Sequence, residues 1–373
     1  MKFGLIYEIC RPEPFEDWAS EEETYWQALE QCVLAEEVGF DHVWEVEHHF
    51  LEGYSLSSAP EVFLASLAQH TNRVRIGHGV RLLPPPFNHP VRSAEAAAAL
   101  DIMSRGRLEF GVGRSITEQE LGGFGIDPAD SRPMLDEVLP EIVKMWTENE
   151  YPGFEGRYFS MPPRVVLPKP VQQPHPPLWM ACTQPASFDL AAEFGIGVLA
   201  FGVGAPGDVV ESVKRYKERI GHPTRQAGLV VNNAVAPATM LFCADDQRKA
   251  IEMGGVAALW YGAQVARLFA PWAGQEIKGY EYYHQLTQDP EFLKQFARPY
   301  EERLQDRYSL VGTPDKVAEG VQSYIDVGVD QIIGITQVGR IPHDEIMASL
   351  RLFGEEVIPR FKQAAEPATA SAR

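Results

Sequence analysis

Short apolar runs, mostly five to eight residues long, recur along the chain, and each is followed by a longer stretch with helical spacing. This alternation restricts the fold more than any other feature. The strand-like runs are "KFGLIY" (2–7), "DHVWEV" (41–46), "RVRIGHGV" (73–80), "RLEFGVG" (107–113), "LWMAC" (178–182), "IGVLAFG" (196–202), a proline-interrupted region 228–244 and "VDQIIGIT" (329–336). Between and after them come helical patterns at 22–40, 59–71, 91–106, 131–149, 186–195, 207–221, 245–260 and 313–328. Strands that alternate with helices pair in parallel, because a parallel neighbour is reached only by a long crossover. About eight such units are enough to close the sheet into a (β/α)8 TIM barrel, with an open doubly wound sheet as the alternative. On the first helix, the spacing puts Trp26, Leu29, Val33 and Leu34 on one face.

Two segments break the rhythm. Residues 151–177 are rich in proline and read as an inserted hairpin. Residues 262–312 show no strand pattern and read as an insertion that forms a lid or pocket wall. The chain is expected to be a single domain over 1–362, with 363–373 a disordered tail. Net charge is −19, from 33 basic and 52 acidic side chains, so the surface repels phosphate backbones and nucleic acid is not an expected partner. The four cysteines are scattered without a C-x-x-C pair, which fits a reducing cytoplasm. No uninterrupted apolar run is long enough for a membrane span, and the N-terminus does not read as a signal peptide.

Candidate chemistry gathers at the ends of the strand-like runs. In "VWEVEHHF" (43–50), Glu47, His48 and His49 follow an alternating strand. Strand alternation sends the two histidines to opposite faces, and no H-E-x-x-H or C-x-x-C pattern completes a metal set. What remains is a polar strand end or an acid/base site, the latter because barrel active sites sit where strands end. "GVGRS" (111–115) and "DSRPM" (130–134) place Arg114 after a strand and Arg132 at a helix start, an arrangement suited to a phosphate or else a solvated surface pair. "ACTQPAS" (181–187) offers Thr183, Gln184 and Ser187 at another helix start, as a second phosphate cradle or as plain N-capping. No G-x-G-x-x-G or G-x-x-x-x-G-K-[ST] is present, which disfavours Rossmann and P-loop sites. "GVRLLPPPFNHP" (79–90) is a stiff loop in which His89 can orient the next helix start. Trp260, Tyr261, Phe269 and Trp272 form an aromatic group that is either core or the wall of an apolar pocket.

The strings "FDHVWEVEHHF", "RVRIGHGV…NHPVRSAEAAAALDIMSRGRLEFGVGR", "GFGIDPADSR" and "LVGTPDKV" resemble the bacterial luciferase-like flavin monooxygenases, in particular the luciferase α-subunit type, from Met1 to about Lys362. The resemblance implies a TIM barrel that binds reduced FMN (FMNH2). That flavin reacts with O2 to a C4a-peroxyflavin and oxygenates a small apolar or aromatic substrate. It further implies a separate NAD(P)H:flavin reductase as partner, and a homodimer packed through helices 58–71 and 93–104. Carried over by position, His48 is the catalytic proton-handling histidine and Glu47 its acidic neighbour. Arg114, Arg132, Thr183, Gln184 and Ser187 surround the phosphate, and Gly113 lies near the flavin ring. Trp260 and Tyr261 form an aromatic pair near the flavin, and Trp272 leads into a mobile lid at 276–308. Val80–Arg81 or Arg81–Leu82 corresponds to a non-proline cis peptide beneath the ring. The chain departs from luciferase at Gly113 (there a cysteine), Thr183 (a glutamate) and Gln184 (a serine), which weakens any inference of light emission. The alternatives are an F420-dependent hydride-transfer oxidoreductase, a non-catalytic flavin-binding partner subunit and, more distantly, a metal-dependent barrel hydrolase.

Overall fold

The structure, a computed structural model, describes residues 1–201, 206–274, 276–290, 294, 302 and 310–362. The expected tail 363–373, and the second half of the expected lid apart from residues 294 and 302, lie outside the described residues. In chain order the strands are β1 (Lys2–Tyr7), β2 (His42–Glu45), β3 (Arg75–Leu82), β4 (Leu108–Gly113), the hairpin pair β5 (Phe154–Glu155) and β6 (Ser160–Met161), β7 (Leu178–Cys182), β8 (Gly197–Phe201), β9 (Val235–Cys243), β10 (Leu310–Gly312) and β11 (Gln331–Ile335). β1, β2, β3, β4, β7, β8, β9 and β11 pair in parallel, each with the next, and β11 pairs back onto β1, so the sheet closes. The helices follow the strands as α1 (Glu21–Glu37), α2 (Pro60–His70), α3 (Pro90–Met103), α4 (Glu118–Gly123), α5 (Pro128–Thr147), α6 (Pro185–Phe194), α7 (Pro206–Arg219), α8 (Gln247–Ala250), α9 (Val256–Phe269), α10 (Glu281–Gln288), α11 (Pro314–Val327), α12 (His343–Leu352) and α13 (Ile358–Phe361). This is the expected (β/α)8 barrel, with the expected hairpin inserted between β4 and β7.

Three local expectations fail. Trp26 does not face the core and is 57% exposed. The helix approaches the barrel on its small residues Ala28, Cys32 and Ala35, which share one side at 100° per residue and turn Trp26 outward. Segment 262–312 is not strandless, since Leu310–Gly312 pairs in parallel with Leu241–Cys243 at the C-terminal end of β9. Three residues are too few to show a period. The helix expected at 245–260 also runs on to Phe269, as α8, a π-helical turn at Ile251–Gly255 and then α9. Elsewhere a proline is absorbed, and α5 continues through both Pro133 and Pro140.

Alternation along the strands sorts side chains into a filled barrel interior and an outer layer under the helices. Trp44 points inward, packs edge-to-face with Trp179 at 5.4 Å between ring centroids, and leaves no room for a side chain at Gly77. Towards the strands' N-terminal ends, Glu109 accepts from Trp179 Nε1 at 2.6 Å, pairs with Arg75, and has His42 Nε2 at 3.7 Å. This plug closes one end of the barrel and leaves the other for the site.

Candidate active site

A cleft enclosing about 1190 Å³ of empty space, its mouth included, opens where the strands end. All eight barrel strands reach it: Glu8 follows β1, Val46 to His48 follow β2, and Val80, Gly113, Met180, Phe201, Ala238 and Ile335 come from the others. Convergence of every strand end on one cavity is the usual placement of a TIM-barrel active site.

His48 stands between two carboxylates. Its Nδ1 lies 2.9 Å from Glu120 Oε1, and its Nε2 lies 3.5 Å from Glu8 Oε2. β2 ends at Glu45, so His48 belongs to the following loop, where its backbone N–H donates to Ser57 O at 2.8 Å. Glu120 is fully buried and well supplied with donors: Oε1 also accepts from the His49 N–H at 3.0 Å, and Oε2 accepts from the Ser115 and Thr117 hydroxyls at 2.6 Å each. Burial alone raises a carboxyl's pKa, but His48 and these hydroxyls outweigh it and hold Glu120 below its ordinary value. Burial likewise disfavours charge on His48, yet Glu120 and then Glu8 prevail and push the imidazole up to about 9. At neutral pH His48 is therefore an imidazolium, with Nδ1–H donating to Glu120 and Nε2–H facing Glu8 and the cleft. Glu8 differs from Glu120. Its Oε1 accepts from Tyr54 OH at 3.0 Å and Tyr261 OH at 3.1 Å, while Oε2 has no hydrogen-bond partner. Burial pushes the Glu8 carboxyl up, against the pull of His48 and the two hydroxyls.

Glu47 lines the cleft, but both its oxygens are committed: Oε2 accepts from the Leu82 N–H at 2.9 Å and Oε1 from Asn88 Nδ2 at 2.6 Å. It braces the end of β3 and is approached by His49 Nε2 at 3.4 Å rather than by His48. The two histidines do diverge, although the strand has already ended. His49 lies among Phe50, Phe87 and Phe124, with ring centroids 4.9–6.0 Å away. Among the described residues no group of three or more His, Cys, Asp or Glu could hold a metal ion.

Arg132, near the start of α5, lines the same cleft, forms no ion pair among the described residues, and donates to Met180 Sδ at 3.8 Å. Burial and then the neighbouring Arg114 press its pKa down, against the pull of Asp136 one helical turn along α5. Thr183, Gln184 and Ser187 lie beside it at the N-terminus of α6, where the Ser187 hydroxyl donates to Gln184 O at 2.6 Å. Arg114 lines the same cleft but is partly spent: Nη1 donates to Ser131 Oγ at 2.9 Å, Nη2 donates to Gly279 O at 2.5 Å, and the guanidinium stacks over Tyr280 at 4.3 Å. Gly113 faces Val80 so closely that a Cβ there would overlap Val80 Cγ2. The non-proline cis peptide is Gly79–Val80, one position before Val80–Arg81 and two before Arg81–Leu82, within the register shift of β3 against β4 between His78 and Arg81. Arg81 is not on the cleft wall. Alternation sends it to the outer side, where it donates to Glu61 Oε2 and Asn88 Oδ1 at 2.7 Å each.

Of the four aromatic residues read as core or pocket wall, Tyr261 and Phe269 line the cleft. Trp260 packs against the main core, and Trp272 is buried against Tyr280 at 4.4 Å, with its Nε1 donating to Ile116 O at 2.8 Å. Phe269, Trp272, Tyr280 and Tyr283 thus join Leu121 and Ile126 in a second small core beside the cleft, in which Tyr283 also meets Thr183 hydroxyl to hydroxyl.

The sequence matches the luciferase-like monooxygenase family over residues 1–331. The chain belongs to that family. The oxygenase component of the flavin-dependent trigonelline monooxygenase of Acinetobacter baylyi is 26% identical, over 97% of this chain and 96% of its own length. The alkanal monooxygenase alpha chain of Photorhabdus luminescens is 27% identical, over 97% and 98%. Among solved structures, the monooxygenase RslO1 of Streptomyces bottropensis superposes with a TM-score of 0.79 at 29% identity, covering 97% of this chain and 100% of that one.

Within this luciferase-like frame, the carboxylates that face His48 are ones that sequence reasoning passed over. Glu120 had a signal, since Thr117-x-x-Glu120 is a helix-start pattern in which Thr117 Oγ1 accepts from the Glu120 N–H at 3.3 Å. Glu8, one residue past β1, occupies the same kind of position as His48 but stands without a companion motif. Tyr54 lies in the β2–α2 loop, and nothing local marks it as a partner of Tyr261, whose hydroxyl is 2.9 Å away.

Proposed function

We propose that this luciferase-like enzyme is the oxygenase component of a two-component system, using reduced FMN from a separate NAD(P)H:flavin reductase and O2 to oxygenate a small apolar or aromatic molecule. The observation that carries the reading is the pairing, in one cleft, of a cation that makes no ion pair among the described residues with a charged proton donor. Arg132 makes no ion pair among the described residues and shares the cleft with the α6 N-terminus, which suits a phosphate. His48 holds a proton between two carboxylates in the same cleft.

The residues fit a flavin phosphate and ring. Arg132, Thr183, Gln184 and Ser187 would hold the phosphate, with Arg114 at its edge. Val80 and Gly113 would present a flat wall, since no side chain can rise at Gly113. A bound reduced flavin supplies the electrons with which O2 oxygenates the substrate. The protein's own contributions are separate from that. Glu120 fixes His48 with Nδ1–H inward, so that Nε2–H is the proton delivered to the cleft. Phe269 and the Trp272–Tyr280–Tyr283 group flank the cleft and exclude water, which protects reactive species from side reactions. α3 and α2, which carries exposed Val62, are the faces through which a homodimer would pack, and light scattering would test that assembly.

The decisive experiment mixes the purified chain with FMN, riboflavin and F420 in turn, then supplies reduced FMN from an unrelated reductase under labelled O2. FMN bound more tightly than riboflavin, and label appearing in an aldehyde, ketone or aromatic substrate, are the expected results. Tight F420 binding without FMN binding would overturn the reading in favour of hydride transfer.

A further inference from the structure

Glu8 Oε2 is unaccounted for by the reading above. The residue is 3% exposed and lines the cleft, its Oε1 is saturated by two tyrosine hydroxyls, and Oε2 has no donor. Buried polar atoms in native proteins are rarely left bare, and a bare carboxylate oxygen is among the least favourable. Among the described residues it pairs with His48 Nε2, at 3.5 Å, and Nδ1 of the same ring is already engaged with Glu120. An acceptor and an N–H donor therefore stand side by side at the wall of the cavity, 3.5 Å apart.

The chemistry of the flanking surface narrows what can use both. Tyr261, which donates to Glu8, shares one face of α9 with Val265 and Leu268 at helical spacings of four and three, and all three line the cleft. Val46 adds a further apolar side chain two residues before His48. A carbonyl oxygen would take the His48 proton but set its own lone pairs against Glu8. An ammonium group would bring three donors to a place with one free acceptor. A hydroxyl uses both atoms, donating to Glu8 Oε2 and accepting from His48 Nε2–H.

We propose that the cleft recognises an apolar substrate through a single hydroxyl group, held between Glu8 and His48, so that Glu8 determines specificity. The proposal rests on the oxygenase reading for the reaction, but its test needs binding alone. Calorimetry on the purified full chain would compare 2-naphthol with 2-methylnaphthalene (same shape, no donor), 2-naphthaldehyde (acceptor only) and naphthalen-2-ylmethylammonium (cation). A hydrogen bond to a charged group predicts that naphthol binds about 10- to 100-fold more tightly than methylnaphthalene. The naphthol ultraviolet band should also move towards the naphtholate position. In Glu8→Leu, which keeps the bulk and removes both oxygens, that preference should shrink to about threefold or less, with methylnaphthalene affinity unchanged. Equal binding of naphthol and methylnaphthalene by the unaltered protein would overturn the proposal. So would tightest binding of the aldehyde or the ammonium probe, or a full preference surviving in folded Glu8→Leu. The unaltered protein decides the matter even if the variant fails to fold. FMN affinity measured on the same samples separates the two ideas: loss of FMN binding with the hydroxyl preference intact removes the cofactor reading, and the converse removes only this one.

Discussion

The two ends of the barrel treat charge in opposite ways. Towards the strands' N-terminal ends, Arg75 meets Glu109 and spends its remaining donors on Leu108 O at 3.1 Å, Gln172 Oε1 at 2.9 Å and Gly106 O at 3.3 Å. Where the strands end, among the described residues Arg132 makes no ion pair and Glu8 Oε2 has no hydrogen-bond partner. The same closed sheet carries both, so the difference is not one of fold. Charges that stabilise are neutralised inside the protein, and charges that await a ligand are left incomplete. Substitutions at the two ends should therefore separate stability from binding.

The largest effect is expected at the paired end. Arg75→Met leaves Glu109 buried without its cation, and removing one partner of a buried pair costs about 3 kcal/mol. Urea denaturation should show that loss while FMN affinity stays unchanged; a loss below about 0.5 kcal/mol would place the pair with ordinary surface bridges. At the other end, Arg132→Met should weaken FMN about 10- to 100-fold, or ~1.5–3 kcal/mol, and leave riboflavin unaffected. Stability should fall far less than in Arg75→Met, because Arg132 makes no ion pair among the described residues. Equal weakening of both flavins would break the contrast.

How much of this could be read in the sequence follows the same division. The barrel was legible because strand and helix periods are local, and "LWMAC" (178–182) matches β7 residue for residue. His48, Arg114, Arg132 and Gln184 were legible as residues at strand ends and helix starts, and the cleft does gather them. The partners of His48 were not, because Glu8 and Glu120 lie 40 and 72 positions away and only the closed sheet brings them together. Arg81 was misplaced for a local reason, since moving one position along β3 exchanges the cleft for the outer layer. Whether Trp272 is core or pocket wall stayed open in the sequence because composition marks an aromatic as apolar without saying which side it faces, and the structure places it in the second core.

Glu120→Gln tests the proton-handling end next. With the anion gone, the His48 imidazole should fall from about 9 towards its ordinary value, by at least one unit, or about 1.4 kcal/mol. Histidine NMR against pH would measure it. The sign is fixed by the raised value: an imidazole that holds its proton more tightly when folded stabilises the protein fully below its unfolded pKa. That contribution disappears as pH rises through about 9. Oxygenation that needs the imidazolium should decline over the same window in the unaltered enzyme, and at lower pH in Glu120→Gln. A His48 titration unmoved by the substitution would leave Glu120 as packing alone.

The smallest effect concerns Arg114, and it sharpens the comparison from within one end. Sequence position makes Arg114 and Arg132 equivalent phosphate ligands, but the structure gives two donors of Arg114 to Ser131 and Gly279 and lays it on the Tyr280 ring. An arginine already engaged in this way has less to offer an anion than Arg132, which donates to Met180 Sδ alone among the described residues. Arg114→Met should therefore weaken FMN by about fivefold or less, under ~1 kcal/mol, and less than Arg132→Met does. What it should loosen is the segment around Gly279 and Tyr280, since the guanidinium ties that segment to the loop after β4. Limited proteolysis near residues 276–283 should speed up in Arg114→Met and not in Arg132→Met. If both variants lost FMN equally and neither became easier to cut, the two arginines would be interchangeable after all, and the division between a tethering and a waiting cation would fail.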